Sequence, residues 1–225
     1  MSCAFNSLVM NEKQLILIGA GGQAKNAANV AALNGFSLYA FVDKEKCGRK
    51  LFGVPILESL TDVKNKEAYQ FFIAIGDNSS RERVYENLIL ENPDLAFATL
   101  VDKTASISPF SKIGRGTIIM PQSIVGASSK IGDFCILGNN SVIAHDNIVS
   151  DFCSVGPSVT TGGNVTLRRK VALGIGSTIK NKVSIGRNTI IGANSFLNKD
   201  IGEGIVAYGS PARKIRARGA DEPYL

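Results

Sequence analysis

One histidine occurs in the 225 residues, His145, and it stands beside a carboxylate in the run Ile143-Ala144-His145-Asp146-Asn147-Ile148. Imidazole accepts a proton near neutral pH, and a neighbouring carboxylate can raise its basicity or fix its tautomer. His145 with Asp146 is therefore a candidate general base with its orienting acid. The competing reading is a surface imidazole with no chemistry. Eighteen residues further on comes Gly162-Gly163-Asn164. Glycine at 163 would leave room for a substrate and offer its N–H to an oxyanion in acyl transfer; alternatively it serves only the conformation of a corner. One imidazole without a Cys/His cluster does not furnish a zinc set, which disfavours carbonic anhydrase chemistry, and no metal is expected.

A second group of residues suits a phosphorylated ligand. Gly19-Ala20-Gly21-Gly22 follows Leu15-Ile16-Leu17-Ile18, which reads as a buried strand, and opens a helical stretch from about Gln23 to Asn34. Such a loop lets backbone approach a phosphate and aims free amides at it. Asp43 and Lys44 end the strand Leu38 to Val42; Gly76-Asp77-Asn78 follows the strand Phe71 to Ile75, with Arg81 one turn into the helix Ser79 to Leu90. A loop through Gly53-Val54-Pro55, a short helix near Ser59 to Lys66 and a strand from Leu95 to Leu100 complete a βαβαβ order. That order predicts a small Rossmann-like sheet with ligands at the carboxyl ends of its strands. The candidate nucleotide-sugar set is Gly19, Gly21, Gly22, Gln23, Asp43, Lys44, Gly76, Asp77, Asn78 and Arg81. The plain alternative is that Asp77 or Asn78 only caps its helix. A nicotinamide dehydrogenase is disfavoured, because the hundred or so residues available hold half of a dinucleotide fold.

The histidine must be carried by a different architecture. From Val101 to Leu197 every sixth residue is aliphatic in sixteen of seventeen cases, Thr161 being the exception. The next position is small or turn-forming, as in Gly126, Gly138, Gly156, Gly174 and Gly192, and the fifth is small or β-branched almost throughout. A helix cannot use a period of six, whereas a strand and a corner can. The repeat predicts a left-handed parallel β-helix with three hexads per triangular coil, so that residues eighteen apart stack and His145 sits at an outward corner. Residues 1–100 are expected to form the nucleotide-binding unit, and 101–225 the β-helix with a C-terminal tail.

The composition, 44% hydrophobic and 20% charged, is that of a soluble globular protein. No apolar run is long enough to cross a bilayer, and the first twelve residues lack the order of a secretory signal, so a cytoplasmic location is expected. Cys135 and Cys153 occupy the same hexad position one coil apart, a poor disulfide geometry; with Cys3 and Cys47 they suit a reducing compartment. A net charge of +6 could mean nucleic acid, but the basic residues are scattered, clustering only at Arg213, Lys214, Arg216 and Arg218. Anionic small molecules fit this distribution better.

These motifs together resemble the bacterial sugar O-/N-acyltransferases, which include relatives of the sialic acid O-acetyltransferases and the N-acetyltransferases of nucleotide-linked 4-amino-4,6-dideoxy sugars, as in bacillosamine synthesis. The likeness runs from Leu15 to Arg213, and Gly209-Ser210-Pro211-Ala212-Arg213 is among its carriers. It implies acetyl-CoA as donor, a UDP-linked acceptor, and a homotrimer with sites between neighbouring prisms. It further implies catalysis by His145, Asp146 and Gly163, with Ser154, Gly163, Gly174, Gly192, Ala193, Pro211, Ala212 and Arg213 along the acetyl-CoA path and the basic tail toward its phosphates. Two positions depart from the pattern. Gln23 stands where many relatives have His, and Ser154 where several carry a second His, expected one coil beyond the first. Transfer to a sugar hydroxyl, and a nucleotide-binding scaffold without CoA affinity, are the alternatives.

Overall fold

The computed structural model describes residues 13–219 together with Glu222 and Pro223. Its N-terminal part is an α/β unit of β1 (Lys13–Ile18), α1 (Gly22–Leu33), β2 (Phe36–Val42), β3 (Lys50–Leu51), β4 (Val54–Leu57), β5 (Gln70–Ile73) and α2 (Asn78–Glu91). The sheet order is β3-β4-β2-β1-β5, and all pairs are parallel except β3 with β4. The run Leu15 to Ile18 is apolar without alternation because both faces of β1 are covered. Leu15 and Leu17 meet the alanine face of α1, while Ile16 and Ile18 meet Leu60, Val63 and Phe71.

Three local expectations change. The segment around Gly53 is not an open loop but the β3–β4 hairpin, whose turn residues Phe52 and Gly53 both have positive φ, 52° and 79°. Such a turn matches the twist of paired strands, and phenylalanine in it is not a turn signal. The helix expected near Ser59 to Lys66 is two single turns, Leu60–Asp62 and Lys66–Ala68. Of the strand expected from Leu95 to Leu100, one bridge from Phe71 to Phe97 remains, and Leu100–Val101 already belongs to the coil.

From Leu100 the chain winds through two-residue strands that build three parallel sheets, one per face of a left-handed β-helix type of column. Face one runs from Leu100–Val101 through Ile136–Leu137 and Ser154–Val155 to Ile190–Ile191, and is extended by the antiparallel hairpin Ile205–Gly209 and Ala212–Ala217. Face two contains Ile124–Val125, Val142–Ile143 and Thr160–Thr161; face three contains Lys130–Ile131, Ile148–Val149 and Thr166–Leu167. Partners are eighteen apart, as with Val125, Ile143 and Thr161. The repeated aliphatics form one continuous interior. Leu137→Ala should therefore cost about 2–5 kcal/mol. A urea titration that leaves the midpoint unchanged would contradict this packing.

The second-position glycines serve closeness, not conformation. A Cβ on Gly126 would stand 2.7 Å from the carbonyl carbon of Ala144 and 2.8 Å from the amide nitrogen of His145. The left-handed residues fall at the fourth position instead, with φ of 60° at Ser128, 57° at Asp146 and 60° at Asn164. Asn and Asp tolerate that region better than most residues. Cys135 and Cys153 are free and buried, their Sγ atoms donating to the carbonyls of Ser150 and Arg168; burial pushes the Cys153 thiol well up. Cys3 lies outside the described residues.

Helix α2 fastens the sheet to the column. Tyr85 packs on Phe134 with ring centroids 4.4 Å apart, and Phe134 stacks on Phe152 at 5.2 Å. Glu82 pairs with Arg169 and Lys170, each at 2.7 Å. Burial opposes ionisation of Glu82, but Lys170 and Arg169 outweigh it and hold its carboxyl below the ordinary range. This tie is complete at neutral pH and is lost as pH falls through the lowered Glu82 value.

Candidate active site

His145 follows the face-two strand Val142–Ile143 and occupies the corner leading to face three. Its side chain is 63% exposed, and Nδ1 lies 2.6 Å from Oδ2 of Asp146. The left-handed backbone at Asp146, pinned by its N–H to the carbonyl of Ala127 at 2.9 Å, turns that carboxylate back toward the ring. With Nδ1 so engaged, Nε2 is the nitrogen left to exchange a proton. One coil on, Gly163 lies against the ring: a Cβ there would be 2.5 Å from both Cε1 and Nε2. Asn164 N–H donates to the carbonyl of His145 at 3.1 Å, which fixes the two turns to each other.

The α/β unit contributes a cavity of about 500 Å³ at the carboxyl ends of its strands, lined by Gly19, Gly21, Gly22, Gln23, Asp43, Lys44 and Gly76. Gly19 has φ of +106°, and a Cβ there would crowd the carbonyl oxygen of Ala74 at 3.1 Å. Oδ2 of Asp43 accepts the Ala20 N–H at 2.9 Å, so this acid braces the glycine loop. Helix α1 has Gly21 at its N-cap, with no side-chain cap and no acid in its first turn. Beside it, Lys25, Lys46, Arg49 and Lys50 line an adjoining cavity of about 290 Å³. Lys46 also donates to the Ala20 carbonyl at 3.0 Å. These four cations were not legible as a group, because the hairpin that delivers Arg49 and Lys50 read as a loop.

Three residues of the expected nucleotide set play other parts. Asp77 caps α2, accepting the Ser80 N–H at 2.8 Å. Asn78 is fully buried and donates to the Lys170 carbonyl at 2.7 Å across the junction with the coil. Arg81 does not reach the cavity at all. It is 1% exposed and donates to the carbonyls of Gly76 at 2.7 Å, Phe134 at 2.8 Å and Phe152 at 3.1 Å, and to Ser154 Oγ at 3.0 Å. Its five donors suit a cluster of carbonyls that converge from sheet and column.

A larger cleft of about 510 Å³ lies on face one, between the α/β unit and the tail hairpin. Ser154, Gly174, Gly192 and Ala193 line it, as do Gln23, Gly76, Tyr208 and Arg216. Gln23 and Gly76 thus border both the cleft and the strand-end cavity, and the Gln23 side-chain Nε2 is buried without a partner among the described residues. Ser154 comes nine residues after His145, half a coil rather than a whole one, and therefore faces a different side. Gly163 belongs to the His145 corner and not to this cleft. Pro211, Ala212 and Arg213 form the hairpin turn and the start of its second strand, outside the cleft lining; Ala212 is buried while Pro211 and Arg213 are exposed. The basic tail does not act as one patch: Arg216 pairs with Glu222 at 2.9 Å, and Arg218, 6% exposed, donates to Asn188 Oδ1 at 2.8 Å. Within one chain, face two separates the His145 corner from the cleft on face one.

No helix among the described residues is long and apolar enough to cross a membrane. Residues 14–88 match the family model described as the PglD N-terminal domain, and residues 110–145 match the bacterial transferase hexapeptide model of six repeats. A curated relative, the uncharacterized protein L142 of Acanthamoeba polyphaga mimivirus, is 31% identical over 103 residues, 46% of this chain; the chain matches only 20% of that protein's length. Among solved structures, the acetyltransferase domain of PglB from Neisseria gonorrhoeae superposes with a TM-score of 0.84 at 25% identity, covering 90% of this chain and 100% of that one. PerB from Caulobacter crescentus, solved with CoA and GDP-perosamine, gives 0.83 at 27% identity over 89% and 96% of the two chains. An α/β unit that matches the PglD N-terminal model, joined to a hexapeptide-repeat column, thus gives this chain a fold that it shares, over most of its length, with the acetyltransferase domain of PglB and with PerB.

Proposed function

We propose that this protein is an acetyl-CoA-dependent N-acetyltransferase acting on the 4-amino group of a nucleotide-linked 4-amino-4,6-dideoxy sugar. The observation that carries this reading is the outward His145, held by Asp146 at 2.6 Å and flanked by Gly163. The acceptor's diphosphate meets the amides at the start of α1 and the cations Lys25, Lys46, Arg49 and Lys50. Its sugar passes Gln23 and Gly76 toward the column. Acetyl-CoA takes the apolar cleft on face one, along Gly174, Gly192 and Ala193.

The sugar amine attacks the thioester carbonyl, forming the C–N bond, while Nε2 of His145 takes the proton the nitrogen sheds. Asp146 stabilises the imidazolium that results. The oxyanion is met by the N–H of Gly163, which donates to no acceptor among the described residues. The C–S bond then breaks, and the proton passes from His145 to the departing CoA thiolate. Because the His145 corner and the cleft lie on different sides of one column, each site is completed by a neighbouring copy in a homotrimer.

Turnover of acetyl-CoA with a panel of UDP-, dTDP- and GDP-linked 4-amino sugars tests the assignment, the uridine compound being the expected acceptor. Free UDP should compete. Acetylation of sialic acid, indifferent to UDP, would instead make the protein an O-acetyltransferase, and nucleotide binding without CoA binding would make it a scaffold. Lys46→Ala should weaken nucleoside diphosphate binding about tenfold, the loss of one charge-assisted contact. Calorimetry showing unchanged affinity would remove Lys46 from the site.

A further inference from the structure

Two residues break the hexad pattern, and they touch. Thr161 is the one non-aliphatic residue among the seventeen first positions, and Asn147 puts an amide at a fifth position otherwise held by small or β-branched residues. Both are buried, at 2% and 1% exposure. Asn147 Nδ2 donates to Thr161 Oγ1 at 3.0 Å, to the carbonyl of Ala144 at 3.0 Å and to that of Gly162 at 3.1 Å. Its Oδ1 accepts the N–H of Val165 at 2.6 Å, and Thr161 Oγ1 faces the N–H of Ala144 at 3.3 Å.

Ala144 and Gly162 immediately precede His145 and Gly163. The pair therefore grips the two peptide units that lead into His145 and into the glycine lying against its ring. Elsewhere the column buries valine at these positions, as in Val159 and Val165 at the fifth and Val125 and Val149 at the first. Burying a polar pair where an apolar one packs as well is a departure from local consistency of the kind found at functional sites.

We propose that Asn147 and Thr161 are positioning residues for the His145 corner, a role that rests on the reading of His145 as the base. The double variant Asn147→Val with Thr161→Val restores the repeat but leaves the Val165 N–H without its acceptor, so its melting temperature should fall by no more than about 10 °C. Its kcat should nonetheless fall about tenfold or more, because small displacements of reacting groups are costly, while KM for acetyl-CoA and for the acceptor stays within about twofold. With a single histidine in the chain, the imidazole resonances report His145 alone, and they should shift in the variant. Thr161→Ser, which keeps the hydroxyl, should recover most of the turnover that Thr161→Val loses; this near-isosteric single change also serves if the double variant does not fold.

An unchanged kcat with unchanged imidazole resonances overturns the assignment. So does a loss of turnover that only tracks a falling melting temperature, with Thr161→Ser no better than Thr161→Val. Normal turnover in a protein lacking His145 would instead overturn the base reading, and the resonances would still show whether the pair orients the ring.

Discussion

Replacing His145 by alanine should lower turnover by about a hundredfold or more while the protein melts as before. The side chain is 63% exposed and contributes nothing to the interior, so its loss is chemical and not structural. Asp146→Asn keeps the shape of the partner but removes the charge that would stabilise an imidazolium, and should fall between the two, about tenfold down in kcat. Steady-state rates measured beside thermal melts separate the two kinds of damage. Near-normal rates in the alanine variant would leave the reaction without its base.

Gly163→Ala should be nearly as damaging, although it adds a single methyl group. That carbon would be placed 2.5 Å from Cε1 and Nε2 of His145, well inside contact distance. The ring, exposed and on a flexible side chain, is what gives way, so the fold should lose little stability. Turnover should drop by about a hundredfold, since the imidazole is pushed off the line between Asp146 and the acceptor. A fully active alanine variant with an intact melting curve would show that the space beside the ring is not used.

Much of this was legible in the residues themselves. Sixteen aliphatics in register from Val101 to Leu197 specify the column, because only a strand with a corner repeats every six residues. The same count places Gly163 beside His145. The glycine loop and the strand ends at Asp43 and Gly76 likewise follow from short-range order, and the structure gathers them around one cavity. What stayed hidden depends on contacts distant in sequence. Arg81 looked like a ligand residue one turn into a helix, yet two of the carbonyls it serves come from residues 134 and 152, in two later coils. Asn78 similarly bonds Lys170, ninety-two residues away. The separation of Ser154 from His145 is a matter of arithmetic: nine is half of eighteen, so the two residues face different sides. The tail cations seemed a patch until Asn188 and Glu222 claimed two of them.

A column whose coils touch only the coils above and below sets a rule for insertions and deletions. Gaining or losing eighteen residues lengthens or shortens the prism by one storey and leaves every wall in phase. A length that is not a multiple of six does not fit the strand-and-corner unit and has to leave the column as a loop at a corner. Multiples of six that are not multiples of eighteen would keep the core but rotate the tail hairpin Ile205–Gly209 and Ala212–Ala217 onto another wall, away from the α/β unit with which it now frames the cleft. Chain length beyond His145 is thereby quantised by geometry, and whole storeys are the increments in which a descendant of this protein can change height and keep its donor cleft.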